Sequence, residues 1–364
     1  MRILVLNAGS SSIKLRLLDS HDEVVLSRDL STEGLKTPGA LEEAVGESEI
    51  DAVGHRVVHG GSSFSSAAII TDEVKDQIAS LEELAPLHQA ASLDGITSAR
   101  RVFPDIPHVA CFDTAFHSQM PEAASTYAVP LLWRERFGVR RYGFHGLSHA
   151  YASRRSAEMI GRSLDSLRIV TCHLGAGASL AAVAEGRSVD TTMGLTPLEG
   201  LVMATRSGSI DPSIHLWLQA HAGLTPAEVQ EALERDSGLA GLAGTPDMRE
   251  VLKRANDGDD RAVLARDVYV HALRAGVARM ASSMGGIDAV VFTGGVGEHS
   301  SEIRSLAAAG LGFLGVRLDE ARNRQAAGDT DVSAAGGSVR ALVVEAREDL
   351  QMAREIRGLL HESG

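Results

Sequence analysis

Twice along the chain an apolar strand pattern breaks at a short run of glycine and small polar residues and then resumes. This duplicated design limits the possible folds more than any other feature. The first copy is MRILVLNAGSSSIKLRLLD, in which Ile3 and Val5 before the break and Ile13, Leu15 and Leu17 after it alternate with period two, as half-buried strands do. A Walker A loop would end in Gly-Lys-Ser/Thr and open a helix whose N-terminus faces the phosphates, and the flank here has the wrong period for that. The expectation is a hairpin whose tip carries the Asn7 amide and the hydroxyls of Ser10, Ser11 and Ser12, with Gly9 permitting close backbone approach to an anion. An ordinary polar hairpin turn has the same local pattern. The second copy, RIVTCHLGAGASLAAVAEGRSVD, places Gly175, Gly177 and Ser179 at the break. Two such hairpins suggest two related domains, each presenting a phosphate loop to a shared cleft.

The bulk properties agree with two domains. At 364 residues the chain is too long for one core. Strand-like and helical stretches alternate, which indicates an α/β protein. A helix is expected at Thr71–Leu84, with Val74, Ile78, Leu81 and Leu84 on one stripe and Thr71 or Asp72 as N-cap, and a long one at Asp259–Met284, closed by Gly285-Gly286. Ala255–Asp260 and Ala327–Gly337 read as loops. A third glycine stretch, AVVFTGGVGEHSSEIRSLA, reads as strand, glycine turn, helix, where His299 or Ser300 can cap the helix and the glycines allow flat approach to a ring or sugar.

The net charge of −13 argues against a general nucleic-acid role. The sequence holds no apolar run of bilayer-spanning length, so no membrane partner is expected. Cys111 and Cys172 lie inside apolar strand-like runs and read as reduced core residues. Together with an N-terminus unlike a signal peptide, they point to a cytoplasmic protein.

NAGSSSIK (7–14), HRVVHGG (55–61), PLH (86–88), FDTAFH (112–117), RRYGFHGLSH (140–149), HLGAGAS (173–179), MGLTPLEGLVMATRSGSIDP (193–212) and FTGGVGE (292–298) occur in the order of the acetate kinase family, which the chain resembles over nearly its whole length. The 193–212 block is the most specific of these. The resemblance implies two ribonuclease-H-like, actin-like ATPase domains with a nucleotide cleft between them. The boundaries expected are 1–148, joined by a C-terminal helix at about 350–364, and 149–349. It also implies a homodimer joined through the second domains. The reaction implied is reversible, magnesium-dependent transfer of the γ-phosphoryl group of ATP to acetate, with manganese as a possible substitute.

Residue by residue, the resemblance makes Arg56, Asp113, His145 and Arg206 catalytic. The two arginines would hold the carboxylate and the migrating phosphoryl group, since a planar guanidinium grips such anions through paired donors. His145 and Arg206 would stabilise the transition state. Asp113 would position Arg206 or the magnesium shell rather than act as a base. Val58, Leu87, Phe144 and Pro197 would line a small apolar acid pocket with Arg56. Lys14, His173, Leu174, Gly175, Ala176, Gly177, Asp247, Met248, Arg249, Gly294, Gly295, Val296 and Gly297 would bind ATP. Asn7 and Glu348 would serve the metal, and His88 would support. Outside the family, each of these residues has a plainer reading, such as surface ion pair, core side chain or helix-terminal charge.

Four positions depart from the family pattern. Ala176 stands for an Asn, Ser209 for an Asp, His299 for an Asn and Arg347 for an Asn. The alternatives are a propionate kinase, a pyrophosphate-using acetate kinase or a phosphatase on the same fold, and a non-catalytic actin-like nucleotide-binding or assembly protein.

Overall fold

The strand pairing in a computed structural model realises the duplication seen in the sequence. The structure describes residues 1–8, 12–31, 37, 39–82 and 86–362, the side chains of residues 8, 12, 86–88 and 362 excepted. The hairpin tip at 9–11 and Leu84 therefore lie outside the described residues, as do the side chains of Leu87 and His88.

The first sheet contains β1 (Ile3–Ala8), β2 (Ser12–Leu18), β3 (Val24–Ser31), β4 (Ala52–Val57), β5 (Ala68–Ile69) and β6 (His108–Phe112), in the order β3-β2-β1-β4-β6-β5. The second contains β7 (Arg168–Leu174), β8 (Ala178–Ala184), β9 (Arg187–Thr191), β10 (Ala289–Thr293), β11 (Thr330–Asp331) and β12 (Arg340–Val343), in the order β11-β12-β10-β7-β8-β9. Read from its other edge, the second order repeats the first strand for strand. In both, an antiparallel three-strand meander leads into three parallel strands and ends on a short antiparallel edge.

The first hairpin is as expected in register, with Asn7 opposite Lys14. One expectation is corrected: β1 is buried on both faces, not half-buried. Leu4 and Leu6 pack with Leu41, Val45 and Ala99, while Ile3 and Val5 pack with Met352, Ala353 and Ile356 of the helix Glu348–Glu362. Helices on both sides of a central strand make its two faces equally apolar. That C-terminal helix lies so close to β4 that a Cβ on Gly54 would fall 2.4 Å from Ile356 Cδ1.

Two compact units result. The first comprises Met1–Gln119, Phe144–Tyr151 and Arg347–Gly364, and the second Met120–Gly143 and Ala152–Ala346. Met120–Gly143, taken from sequence as part of the first 148 residues, groups with the second unit. The Arg141 amide donates to Ser125 O (2.8 Å) and its guanidinium to Thr192 O and Met193 O (3.0 Å each).

The helix expected from 71 runs from Asp72 to Ser80, with Thr71 Oγ1 accepting from Val74 N. The long one runs from Asp260 to Ser283, capped by Asp259, and Gly285 takes a left-handed φ of 65° beyond it. The stretch 255–260 is not all loop, because Met248–Asn256 is helical through Asn256 and the next helix starts at Asp260. Within 327–337, Thr330–Asp331 forms the edge strand β11. The third glycine stretch is not a turn either. Gly294–His299 is itself a short helix entered directly from β10, and Ser300 caps the following helix Ser301–Ala309.

Candidate active site

In the first unit, register brings the charged residues together. β4 and β6 are parallel, with Arg56 beside Cys111 and Val57 beside Phe112, and the Asp113 amide continues the ladder to Val57 O (3.0 Å). Asp113 therefore emerges from the end of β6 next to Arg56. The two form a forked pair, Arg56 Nε to Asp113 Oδ1 at 3.1 Å and Nη2 to Oδ2 at 2.5 Å. Arg56 Nη1 also donates to Asn7 Oδ1 (3.1 Å), and Asn7 Nδ2 donates to Glu348 Oε2 (2.7 Å). Glu348 lies 4.0 Å from Arg56 Nε and opens the C-terminal helix, where a carboxylate suits the helix dipole.

Asp113 was placed by sequence beside Arg206 or the magnesium shell; the structure pairs it with Arg56. Its side chain is 1% exposed and that of Arg56 15%. Arg56 stays charged, because Asp113 and Glu348 outweigh the desolvation that opposes it. Burial pushes the Asp113 carboxyl up, Arg56 pulls it down, and the charge of Glu348 adds to the rise.

Asp113 also organises the Phe144-His145-Gly146 turn. Its carboxylate accepts from the His145 amide and its carbonyl from Gly146 N (2.8 Å). A Cβ on Gly146 would fall 2.2 Å from that carbonyl, so the position tolerates only glycine. His145 takes a left-handed φ of 56°, a strain of about 1–3 kcal/mol for a residue other than glycine, found where surroundings impose it. Phe144 and Val58 are buried, and the Phe144 carbonyl accepts from His117 Nε2 (3.1 Å). Lys14 is exposed on β2, and Arg347, the cation next to Glu348, is engaged by Asp349 at 3.0 Å.

In the second unit, Arg206 Nη1 donates to the carbonyl of Pro197 at 2.7 Å. Among the described residues it has no carboxylate within ion-pair distance. Burial pushes its pKa down, partly countered by the more distant Glu234.

The same unit holds a pocket of about 540 Å³, in the range of small-molecule sites. Its wall joins the β7–β8 turn (Gly175, Ala176), the start of the helix Met248–Asn256 (Asp247, Met248, Arg249) and the helix after β10 (Gly295, Val296, His299, Ser300). Asp247 caps its helix by accepting from Arg249 N (2.9 Å) and pairs with the Arg249 guanidinium (2.6 Å), which holds its carboxyl at about 2. Two of the four departures, Ala176 and His299, line this pocket.

His173, Leu174, Gly177, Gly294 and Gly297 are not in its wall. Leu174 is core, and Gly294 backs onto it, since a Cβ there would lie 2.9 Å from Leu174 O. Ala204, Leu239, Pro246, Leu252 and Tyr269 complete the wall without having been singled out by sequence. All but Pro246, whose neighbour Asp247 is a hint, have the ordinary pattern of core residues.

Two sheets of one strand order, each built on a β-hairpin, with a buried arginine–carboxylate cluster and a nucleoside-sized pocket, define a phosphotransferase of the actin-like fold class. The chain belongs to the acetokinase family, whose model matches residues 39–354. It is 46% identical over 387 residues to the acetate kinase of Deinococcus radiodurans, covering 98% of this chain and 97% of that protein. The crystal structure of Porphyromonas gingivalis acetate kinase superposes with a TM-score of 0.91 at 36% identity, covering 99% of each chain. That of a propionate kinase from Francisella tularensis gives 0.89 at 36% identity, covering 97% of this chain and 98% of that one.

Proposed function

We propose that the chain is an acetate kinase, moving the γ-phosphoryl group of ATP reversibly to acetate. The observation that carries this reading is the Arg56–Asp113–Asn7–Glu348 cluster, since a protein that only binds nucleotide has no need of a buried guanidinium braced on oxygen ligands. A carboxylic acid of pKa about 4–5, like that of Glu, is already ionised at neutral pH, so the nucleophile needs no base. One acetate oxygen attacks the γ-phosphorus in line, the bond to the bridging oxygen breaks, and ADP departs with that electron pair. Arg56 holds the acid, Arg206 and His145 offset charge on the phosphoryl oxygens, and Asp113 sets the orientation of Arg56 and of the turn bearing His145. The pocket walled by Gly175, Asp247 and Val296 takes the nucleoside.

The Glu348 carboxylate is the oxygen ligand that magnesium would take, and Asn7, whose Nδ2 donates to Glu348 at 2.7 Å while its Oδ1 accepts from Arg56, would orient that carboxylate. Among the described residues no cluster of three or more His, Cys, Asp or Glu could hold a metal, so water and phosphate oxygens would supply the other ligands. Bound there, the ion would neutralise phosphate charge; manganese offers the same chemistry.

A homodimer is supported by the helix Ser213–Ala222, which buries none of its residues, while Ile214, Leu216 and Trp217 stand exposed beside Ile210. A reducing, cytoplasmic setting is supported by Cys111 and Cys172, both buried and free. Among the described residues no helix is long and apolar enough to cross a membrane.

Propionate is the second reading, because the propionate kinase structure matches at the same 36% identity as the acetate kinase one. One methylene is worth only about 1–3 kcal/mol of discrimination. Hydroxylamine trapping of acyl phosphate tests both, using purified protein, magnesium, and ATP or pyrophosphate with acetate, propionate or butyrate. The strongest hydroxamate signal is expected with ATP and acetate. Signal with pyrophosphate alone, or none from protein that still binds ATP, overturns the proposal.

A further inference from the structure

Among the described residues Arg206 is held by a single carbonyl, and the segment that supplies it has no ladder of its own. Between β9 and Gly200 the backbone is irregular, so Pro197 O could point in many directions unless side chains fixed it. Three side chains do so. Arg141 Nη1 donates to Thr192 O and Met193 O (3.0 Å each), and the amides of Tyr142 and Gly143 donate to Gly194 O (3.0 and 3.3 Å). The Tyr127 hydroxyl accepts from Leu195 N (3.1 Å) and donates to Glu199 Oε2. Glu199 Oε1 accepts from Arg141 Nη2 at 2.6 Å.

The carboxylate thus folds back over the start of its own segment. A Cβ on Gly194 would lie 1.9 Å from Glu199 Oε2 and 2.1 Å from the Tyr127 oxygen, so the closure depends on glycine there. Pro197 is held from both sides, by Gly194 and Leu195 before it and Glu199 after it. The pair is well shielded on one side only: the Arg141 side chain is 7% exposed and that of Glu199 31%. Burial pushes the Tyr127 phenol up, which keeps it a donor to Glu199.

We infer that Glu199, clasped by Tyr127 and Arg141, is a positioning residue for Arg206, acting through the Pro197 carbonyl. The inference rests on the carboxylate-kinase reading, which gives Arg206 its task. Ion pairs with shared donors add direction more than stability, and here the direction reaches a guanidinium that must meet a phosphoryl group within a fraction of an ångström.

The test is steady-state acyl-phosphate formation by Glu199→Gln and Tyr127→Phe, each made in the wild-type and in the Arg206→Ala background. In the wild-type background, Glu199→Gln should lower kcat about 10- to 100-fold with the KM for ATP within about twofold, the cost of a misplaced group. Tyr127→Phe, which removes one oxygen and leaves the Arg141 pair, should cost a smaller factor in the same direction. In the Arg206→Ala background both substitutions should change the residual kcat less than about twofold, because residues acting as a unit are not additive. Equal losses in the two backgrounds, or a Glu199→Gln kcat within twofold of wild type, overturn the inference. An unaltered chain that forms no acyl phosphate would instead remove the reading beneath it, and the inference with it. If Glu199→Gln failed to fold, Tyr127→Phe alone would decide by the same comparison.

Discussion

Arg56 and Arg206 are both shielded from solvent, yet the two units hold them in opposite ways. Arg56 is forked onto Asp113, bonded to Asn7 and within 4.0 Å of Glu348, so its charge is balanced inside its own unit. Arg206 touches one carbonyl and, among the described residues, pairs with no carboxylate. A balanced guanidinium is a directional clamp whose charge adds little to the local field. An unbalanced one, kept from water, attracts any anion that reaches it, and the interaction is stronger than in bulk solvent. On the proposed reading, the difference favours Arg56 as the group that orients the acid and Arg206 as the one that stabilises charge.

The most severe way to break this contrast is Arg206→Ala. An arginine stabilising a transferred phosphoryl group is worth on the order of 10³–10⁵ in kcat. A loss of at least about 10³-fold is therefore expected. The unfolding free energy in urea should fall little, because the substitution also removes a desolvated cation. A kcat within tenfold of wild type would show that Arg206 carries no transition-state charge.

Asp113→Asn attacks the other side. It leaves Arg56 buried without its counter-charge, and breaking such a pair costs about 3–5 kcal/mol. Stability should suffer far more here than in Arg206→Ala, as read by the urea midpoint. An unchanged midpoint would mean that Asn7 and Glu348 suffice to balance Arg56. The pH dependence has a definite sign. Burial, aided by Glu348 and opposed by Arg56, raises the folded-state pKa of Asp113 above the ordinary 3.8. The folded chain then takes up this proton before the unfolded one. Relative to the protonated form, folding is favoured less as pH rises from 3.8 through the folded-state pKa, and the ion pair with Arg56 limits that loss. Asp113→Asn should flatten that part of the stability curve.

The sequence revealed these two regions unequally. Period-two alternation pointed to the first hairpin and the repeated strand–glycine–strand design to the second, and the caps Asp259 and Met284 bounded the long helix to within a residue. Arg56, Arg206 and the residues around them stood out through family resemblance, but which of them pair did not. Asp113 reaches Arg56 only because β4 and β6 pair in one register, and 57 residues of chain separate them. The clasp around Arg206 was invisible for the same reason, since Tyr127 and Glu199 meet across 72 residues.

Gly294–His299 was misread as a turn because glycine is a poor helix former. What stabilises it lies in the next helix: Arg304, buried to 1% exposure, donates to Gly297 O and Glu298 O at 2.8 and 2.7 Å and so satisfies the helix's last carbonyls. The pocket wall was half legible. Polar and glycine positions announce a site, whereas Leu239, Leu252 and Tyr269 look like core until the cavity beside them is seen.

The gentlest change that sharpens the contrast is Ser209→Asp, which restores a carboxylate three residues beyond Arg206. Ser209 is exposed, and its hydroxyl accepts from Gly200 N at 3.1 Å, a role an aspartate oxygen can keep. Exposed ion pairs contribute about 0–1 kcal/mol, so the new charge should compete only weakly for Arg206. The expected result is a kcat lowered less than about fivefold, with the effect shrinking as salt screens the added charge. That outcome would place the functional charge of Arg206 beyond the reach of the surface. A drop approaching that of Arg206→Ala would mean that the missing carboxylate at 209 is what leaves the guanidinium unbalanced, and that the opposition between the two arginines is set by this single position.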